Sequence, residues 1–165
     1  MSGSITLYSI GHSDHNFEVF ITLLQRYGVT AVADVRSQPY SRWTPQYNRE
    51  TLARALGAAG INYIFLGAEL GGRPADRSLY QPGRKQPDYQ RVAATPDFHA
   101  GLERLLELGQ SSSVAMMCSE GDYRKCHRTL LVTPELLARQ VRVVHVLPDG
   151  RTVKAELEPQ QLSLF

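Results

Sequence analysis

The stretch Val29-Thr-Ala-Val-Ala-Asp-Val-Arg36 decides how this chain folds. It is apolar except for Thr30 and Asp34 until it reaches Arg36, a pattern typical of a strand buried on both faces of a sheet. Apolar residues at helical spacing precede it: Phe17, Phe20, Ile21 and Leu24. Gly28 ends that predicted helix. An amphipathic helix followed directly by a buried strand indicates a parallel sheet.

The same alternation continues on both sides of this stretch. Further apolar runs predict four strands and one short edge strand, at 5–10, 61–66, 113–118, 141–147 and 152–157. Helical spacing predicts three more helices, at about 48–60, 95–109 and 124–139. The last is interrupted at Thr133-Pro134, and residues 67–94 form a long loop. The predicted fold class is therefore α/β, a mostly parallel sheet of five to six strands with helices on both faces.

Composition limits the class of protein. The chain has 165 residues, of which 42% are hydrophobic and 21% charged, as expected for one globular domain rather than a disordered chain. No secretion signal and no membrane-spanning run is visible, and two cysteines are too few for a disulfide scaffold. We expect a cytoplasmic protein that does not enter membranes, with a single α/β domain at 1–157 and a flexible tail at 158–165.

Chemically reactive side chains follow the predicted strands. Ligands of open α/β sheets bind beyond the carboxyl ends of the strands, and these residues fall there. The predicted catalytic residues are His12, Asp34, Arg36, Cys118, Glu120, His127 and Arg128. We expect Asp34, Cys118 and Glu120 to supply acid, base or nucleophile, and the two histidines to carry protons. The arginines, together with Arg73, are expected to hold phosphates.

Structural alternatives exist for several of these residues. Asp34 and Arg36 also fit an ion pair at the sheet edge, and Cys118 also fits an inert buried thiol. Cys118 and Arg124 have the spacing of a phosphatase loop, but the acidic residues between them would repel a phosphate. Zinc ligation by Cys118, Cys126, His127 and His12 is disfavoured, because the sequence lacks the closely spaced pairs of cysteines that zinc sites typically use. The sequence predicts neither a metal nor a cofactor.

A loop rich in arginine and aromatic residues follows the second strand, at 36–49. Aromatic rings stack on unpaired bases and guanidinium groups hold phosphates, so this pattern is typical of a binding site for single-stranded nucleic acid. The predicted nucleic-acid-binding residues are Arg42, Trp43, Tyr47 and Arg73. The alternative is a loop folded over the sheet, with its aromatic side chains in a small core of their own.

The last five residues are Gln161-Leu162-Ser163-Leu164-Phe165. They resemble the short peptide by which many bacterial replication and repair proteins dock on the DNA sliding clamp. The resemblance implies that Leu162, Leu164 and Phe165 bury in apolar pockets of the clamp while Gln161 hydrogen-bonds at the rim. The alternative is that this tail packs onto its own domain or onto a second copy.

Four motifs also occur in order along the chain. They are Ser9-Ile10-Gly11-His12-Ser13, Asp34-Val35-Arg36-Ser37, Leu70-Gly71-Gly72-Arg73, and Cys118-x-Glu120 followed by Cys126-His127-Arg128. This set resembles a bacterial family of domains of unknown function, the family numbered 488. The resemblance extends to about residue 147 and implies a compact α/β domain with these shared positions. It implies no particular reaction.

Two functions are consistent with these features. The first is a DNA-maintenance protein that binds nucleic acid, in particular DNA, and is recruited to the sliding clamp, with a glycosylase or nuclease type of activity if it is an enzyme. The second is a cytoplasmic small-molecule or thiol-dependent enzyme whose tail is purely structural.

Overall fold

A computed structural model describes residues 4–156 of the chain. The predicted tail at 158–165, with its clamp-like peptide, lies outside the described residues. The described part contains a six-stranded sheet. Its strands are β1 Thr6–Gly11, β2 Ala31–Asp34, β3 Asn62–Phe65, β4 Val114–Cys118, β5 Arg142–Val146 and β6 Thr152–Lys154. They lie in the order β3-β2-β4-β1-β5-β6. All neighbouring strands are parallel except β5 and β6, which confirms the predicted α/β class.

Helices follow most of the strands. They are α1 Phe17–Arg26, α2 Arg49–Ala58, α3 Gly67–Leu70, α4 Tyr89–Ala93, α5 Pro96–Ser111 and α6 Thr133–Ala138. Local side chains explain two of the starts, because Asn16 accepts a hydrogen bond from the Val19 amide and Thr95 accepts one from the Phe98 amide. Within residues 4–156, none of the helices combines the length and apolar character that crossing a membrane requires.

Alternate residues of the central strands enter two separate apolar clusters. Ala31 and Ala33 of β2 belong to the cluster that contains Leu102 of α5. Val32, which lies between them, belongs to the cluster that contains Phe20 of α1. Successive side chains of a strand point to opposite faces, so this division is consistent with helices on both faces. It also explains why the central strands lack the polar alternation of a half-exposed sheet.

Two predicted segments differ from the structure. The loop predicted at 67–94 contains the short helices α3 and α4, which are too brief to show a helical period in sequence. The helix predicted at 124–139 is instead a 3₁₀ turn at Tyr123–Lys125, a π-helical turn at Arg128–Val132, and then α6. Thr133 donates its hydroxyl proton to the Arg128 carbonyl, and Pro134 has no N–H to continue a regular helix. The interruption expected near Thr133-Pro134 is therefore confirmed.

The strand order brings the predicted reactive residues together. β2, β4 and β1 are adjacent in the middle of the sheet, and all three end at the same edge because they are parallel. Beyond that edge, the amides of His12 and Ser13 donate to the carbonyls of Cys118 and Ser119, at 2.9 and 3.0 Å. The loops after β1 and β4 therefore run side by side.

Candidate active site around Cys118 and Arg128

A cleft of about 680 Å³ opens at the carboxyl ends of β1, β2 and β4. Five of the seven predicted catalytic residues line it, namely His12, Arg36, Cys118, Glu120 and His127. Asp34 and Arg128 lie beneath its surface, both fully buried. Of the predicted nucleic-acid-binding residues, only Arg73 lines the cleft. The structure therefore brings five of these side chains into one cleft, and the role of each depends on its partners.

The centre of the site is the contact between Arg128 and Cys118. The Arg128 Nε atom donates to Cys118 Sγ at 3.0 Å, and Nη2 donates to the Glu120 carbonyl at 2.9 Å. Nη1 donates to the Ser9 hydroxyl. Among residues 4–156, no carboxylate forms an ion pair with Arg128. Because all three of its nitrogens are engaged in the interior, Arg128 does not hold a phosphate in the cleft, which corrects that part of the sequence prediction.

A buried guanidinium without a carboxylate requires another anion, since an isolated buried charge costs several kcal/mol or more. Cys118 is the group in position to supply it. Burial raises the pKa of Cys118, but hydrogen bonding from Cys126 and the Arg128 charge outweigh that effect and lower it to about 6. The interaction with Cys118, together with burial, raises the pKa of Cys126. The directions of these two shifts favour the thiolate form at Cys118 and the thiol form at Cys126.

Glycine at position 11 allows the loop after β4 to approach this centre. A Cβ atom there would overlap the Glu120 carbonyl, and that carbonyl accepts the hydrogen bond from Arg128. The π-helical turn contributes from the other side, because it begins at Arg128. Turns of this kind occur frequently at functional sites. Local backbone geometry thus places the thiolate and the guanidinium against each other.

Asp34 supports Arg36 and does not face the cleft. Its carboxylate accepts from Arg36 Nε at 2.9 Å and from Nη2 at 2.8 Å, and it accepts from the Tyr63 hydroxyl at 2.5 Å. Arg36 also donates to the Tyr47 carbonyl at 2.7 Å. The structural alternative for this pair, a buried ion pair at the sheet edge, is the one observed. Asp34 is enclosed by these partners and cannot reach a substrate as acid, base or nucleophile.

His12 and Tyr47 form a stacked pair under the loop at 36–49. Their ring centroids are 4.2 Å apart with an interplanar angle of 11°, and the Tyr47 hydroxyl donates to the His15 carbonyl at 2.8 Å. Tyr47 has no exposed surface, so a base cannot stack on it and that prediction is wrong. Packing against α1, where Phe20 meets the tyrosine edge-on, decides this outcome.

Both histidines of the cleft, His12 and His127, are uncharged at pH 7. Burial lowers the pKa of His12 to about 4, and its Nδ1 atom donates to the Ser13 carbonyl at 2.7 Å. Burial also lowers the pKa of His127, and its Nε2 atom donates to the Val35 carbonyl at 2.8 Å. Each ring therefore keeps one unprotonated nitrogen, and that of His12 lies 3.4 Å from Arg36 Nη1.

The mouth of the cleft carries an excess of positive charge. Arg73, Lys85 and Lys125 are exposed cations on its lining, whereas Glu120 is the one carboxylate among the lining residues of the described part. Trp43 lies on the loop that forms one wall, with 79% of its surface exposed, and Arg42 stands 4.8 Å above its ring. This surface fits an anionic ligand that has a planar group.

For three residues of the site, the sequence predicted no role. Ser9 and His145 continue the hydrogen-bond chain behind Arg128, and Tyr123 stacks on His145. The signal available for Ser9 was a hydroxyl inside an apolar strand. Across residues 4–156, no three His, Cys, Asp or Glu side chains come together in a way that could hold a metal ion.

These features define the class of protein, a mostly parallel α/β domain with a cysteine–arginine centre in a cleft at the strand ends. The chain belongs to the family described as domain of unknown function DUF488, whose model matches residues 16–133. The match confirms the family to which the motifs pointed, and it includes both Cys118 and Arg128. Comparison with curated proteins and with solved structures gives no significant match.

Proposed function

We propose that this protein is a cysteine-dependent hydrolase for an anionic substrate, with the Cys118 thiolate as its nucleophile. The observation that carries the proposal is the fully buried Arg128, whose Nε atom donates to Cys118 Sγ at 3.0 Å without a carboxylate partner. Thiolates are the reactive form of cysteine, and a nearby arginine is a recognised means of stabilising them. Cys118 also belongs to the lining of the cleft, with 3% of its surface exposed, so a substrate in the cleft would lie next to this residue.

The proposed reaction has two steps. Cys118 Sγ forms a bond to an electrophilic atom of the substrate, and the leaving group departs with the bonding electron pair and takes a proton from a water molecule. The hydroxide so produced attacks the same atom and displaces the thiolate. The sum is hydrolysis, which suits cleavage of a glycosidic or a phosphodiester bond.

The other cleft residues have supporting roles in this proposal. Arg73, Lys85 and Lys125 bind the negative charge of the substrate. The unprotonated His12 Nε2 accepts a hydrogen bond from Arg36 Nη1. Asp34 and Tyr47 are positioning residues, since both contact Arg36 but neither has exposed surface.

The titration of Cys118 tests the proposal. We expect the thiolate absorbance that is lost in Cys118→Ser to titrate with a midpoint near pH 6, well below the ordinary thiol value of about 8.5. Alkylation by iodoacetamide identifies the residue, because trypsin leaves Cys118 on peptide 105–124 and Cys126 on peptide 126–128. Modification of 105–124 alone at pH 7 is the expected result.

Cys126→Ser is the matched variant for this measurement, since its hydroxyl can still donate a hydrogen bond to Cys118. It is expected to keep a low midpoint. A midpoint for wild-type Cys118 near that of a free thiol would overturn the proposal.

A second proposal concerns the substrate and the setting. We propose that the anionic substrate is a nucleic acid, in particular DNA, and that residues 161–165 recruit this cytoplasmic protein to the DNA sliding clamp. The exposed Trp43 with Arg42 above its ring, next to a basic cleft, supports the nucleic-acid part. The peptide Gln161-Leu162-Ser163-Leu164-Phe165 supports the clamp part through its sequence.

One experiment with two ligands tests both parts of this second proposal. Trp43→Ala is expected to weaken binding to a single-stranded oligonucleotide about tenfold, the usual effect of losing one stacking ring, and to leave clamp binding unchanged. Leu164→Ala with Phe165→Ala is expected to abolish capture by purified bacterial clamp and to leave oligonucleotide binding unchanged. Each variant is the control for the other. A wild-type protein that binds neither ligand would refute this proposal and leave the thiolate proposal standing.

A further inference from the structure

We propose that Ser9 and His145 are positioning residues that hold Arg128 against Cys118. This inference rests on the proposed function and assigns a role to two buried polar residues on strands behind the cleft. Both have almost no exposed surface, so neither touches a substrate. Their effect on the reaction passes through the guanidinium.

Strand register places these side chains on one face of the sheet. Ser9 of β1 is paired with His145 of β5 on one side and with Met116 of β4 on the other. Cys118 lies two residues beyond Met116 and therefore points to the same face as Met116. A chain of polar groups thus crosses three adjacent strands beneath an otherwise apolar layer, where unsatisfied polar groups are costly.

The direction of each hydrogen bond in this chain follows from the arginine. Arg128 Nη1 can only donate, so the Ser9 oxygen accepts. The Ser9 hydroxyl proton is then directed to His145 Nδ1, which lies 2.6 Å away. His145 must therefore be unprotonated at Nδ1, and its ring is held by stacking on Tyr123, with centroids 4.4 Å apart.

The surroundings keep His145 in that state. Burial, together with the Arg128 charge, lowers the pKa of His145 to about 4. The titratable groups around the Arg128–Cys118 contact are His145 from β5, Tyr123 and Cys126 from the segment after β4, and His127 next to Arg128. Arg128 is the one permanent charge among these groups, so its orientation contributes to the charge state of Cys118 alongside the hydrogen bond from Cys126.

Four variants test this inference through the midpoint of Cys118 titration. Ser9→Ala removes the acceptor of Arg128 Nη1 and is expected to raise the midpoint by about one unit. His145→Phe keeps a ring against Tyr123 but removes Nδ1, and a smaller rise is expected. His145→Asn places an amide oxygen near the position of Nδ1 and is expected to restore the wild-type midpoint. Thr95→Ala, which removes the N-cap of α5, controls for general destabilisation.

The results separate this inference from the proposed function. A wild-type midpoint near pH 6 that stays unchanged in Ser9→Ala would overturn the positioning roles while the thiolate proposal stands. Equal rises in His145→Phe and His145→Asn would show that the acceptor is irrelevant and would also overturn them. An ordinary wild-type midpoint would refute the proposed function itself. Thermal unfolding of each variant confirms that the protein measured is folded.

Discussion

Replacing Arg128 by methionine is expected to raise the pKa of Cys118 from about 6 to the ordinary thiol range, near 8.5. The substitution removes the positive charge and the Nε–H donor that face the sulfur, while the methionine chain fills much of the same space. With no cation beside it, buried Cys118 takes up a proton. Thiolate absorbance as a function of pH, with Cys118→Ser as the blank, measures the change.

The matched control for this variant is Arg124→Met. Arg124 lies four residues earlier, is exposed, and pairs with Asp122 at 3.0 Å, so its loss is expected to leave the Cys118 titration unchanged. Arg128→Met also leaves the buried Ser9 hydroxyl without its donor, at a cost of about 1–3 kcal/mol. If the Cys118 midpoint in Arg128→Met stays near that of the wild type, the guanidinium is not what stabilises the thiolate.

Acidification from pH 7 to pH 5 is expected to lower the free energy of unfolding by about 3–5 kcal/mol. His12 and His145 both have a folded pKa of about 4 because of burial, against about 6.5 in the unfolded chain. The unfolded state therefore binds more protons between these values, and stability is lost as the pH falls through that window. The pKa of Cys118, lowered to about 6, adds a loss of the same sign, because its contribution declines from about pH 8.5 downwards.

Urea unfolding at the two pH values measures this loss, which is large beside the stability of a typical domain, about 5–15 kcal/mol. His145→Asn is expected to remove roughly a third of the pH dependence, because an amide does not titrate. His99→Gln, at an exposed position on α5, is the matched control and is expected to keep the wild-type dependence. Equal stability at both pH values would contradict the assignment of neutral buried histidines.

The loop at 36–49 shows where prediction from sequence stops. Its aromatic residues share the same local pattern, yet Trp43 is exposed and Tyr47 is fully buried against His12. Nothing within the loop distinguishes the two rings. The difference arises because the turn at Pro45–Tyr47 packs against the start of α1, and the Tyr47 hydroxyl bonds to the His15 carbonyl.

The two buried arginines illustrate the same limit. Arg36 pairs with Asp34, two residues away, and the sequence could raise that pair as an alternative because its members are neighbours. Arg128 depends on Cys118, ten residues away, and on Ser9, 119 residues away. Contacts between residues so far apart in the sequence leave no local pattern. The sequence therefore predicts a phosphate-binding role for Arg128.

The sequence by itself determined the α/β class and the edge of the sheet at which reactive side chains collect. Both depend on local properties, namely the period of the apolar residues and the position of polar residues after each strand. Only the tertiary structure decided which of those side chains face the cleft and what charge they carry. Strand order puts β1 between β4 and β5, and burial together with through-space pairing of Ser9, Cys118 and Arg128 sets the protonation of the thiol.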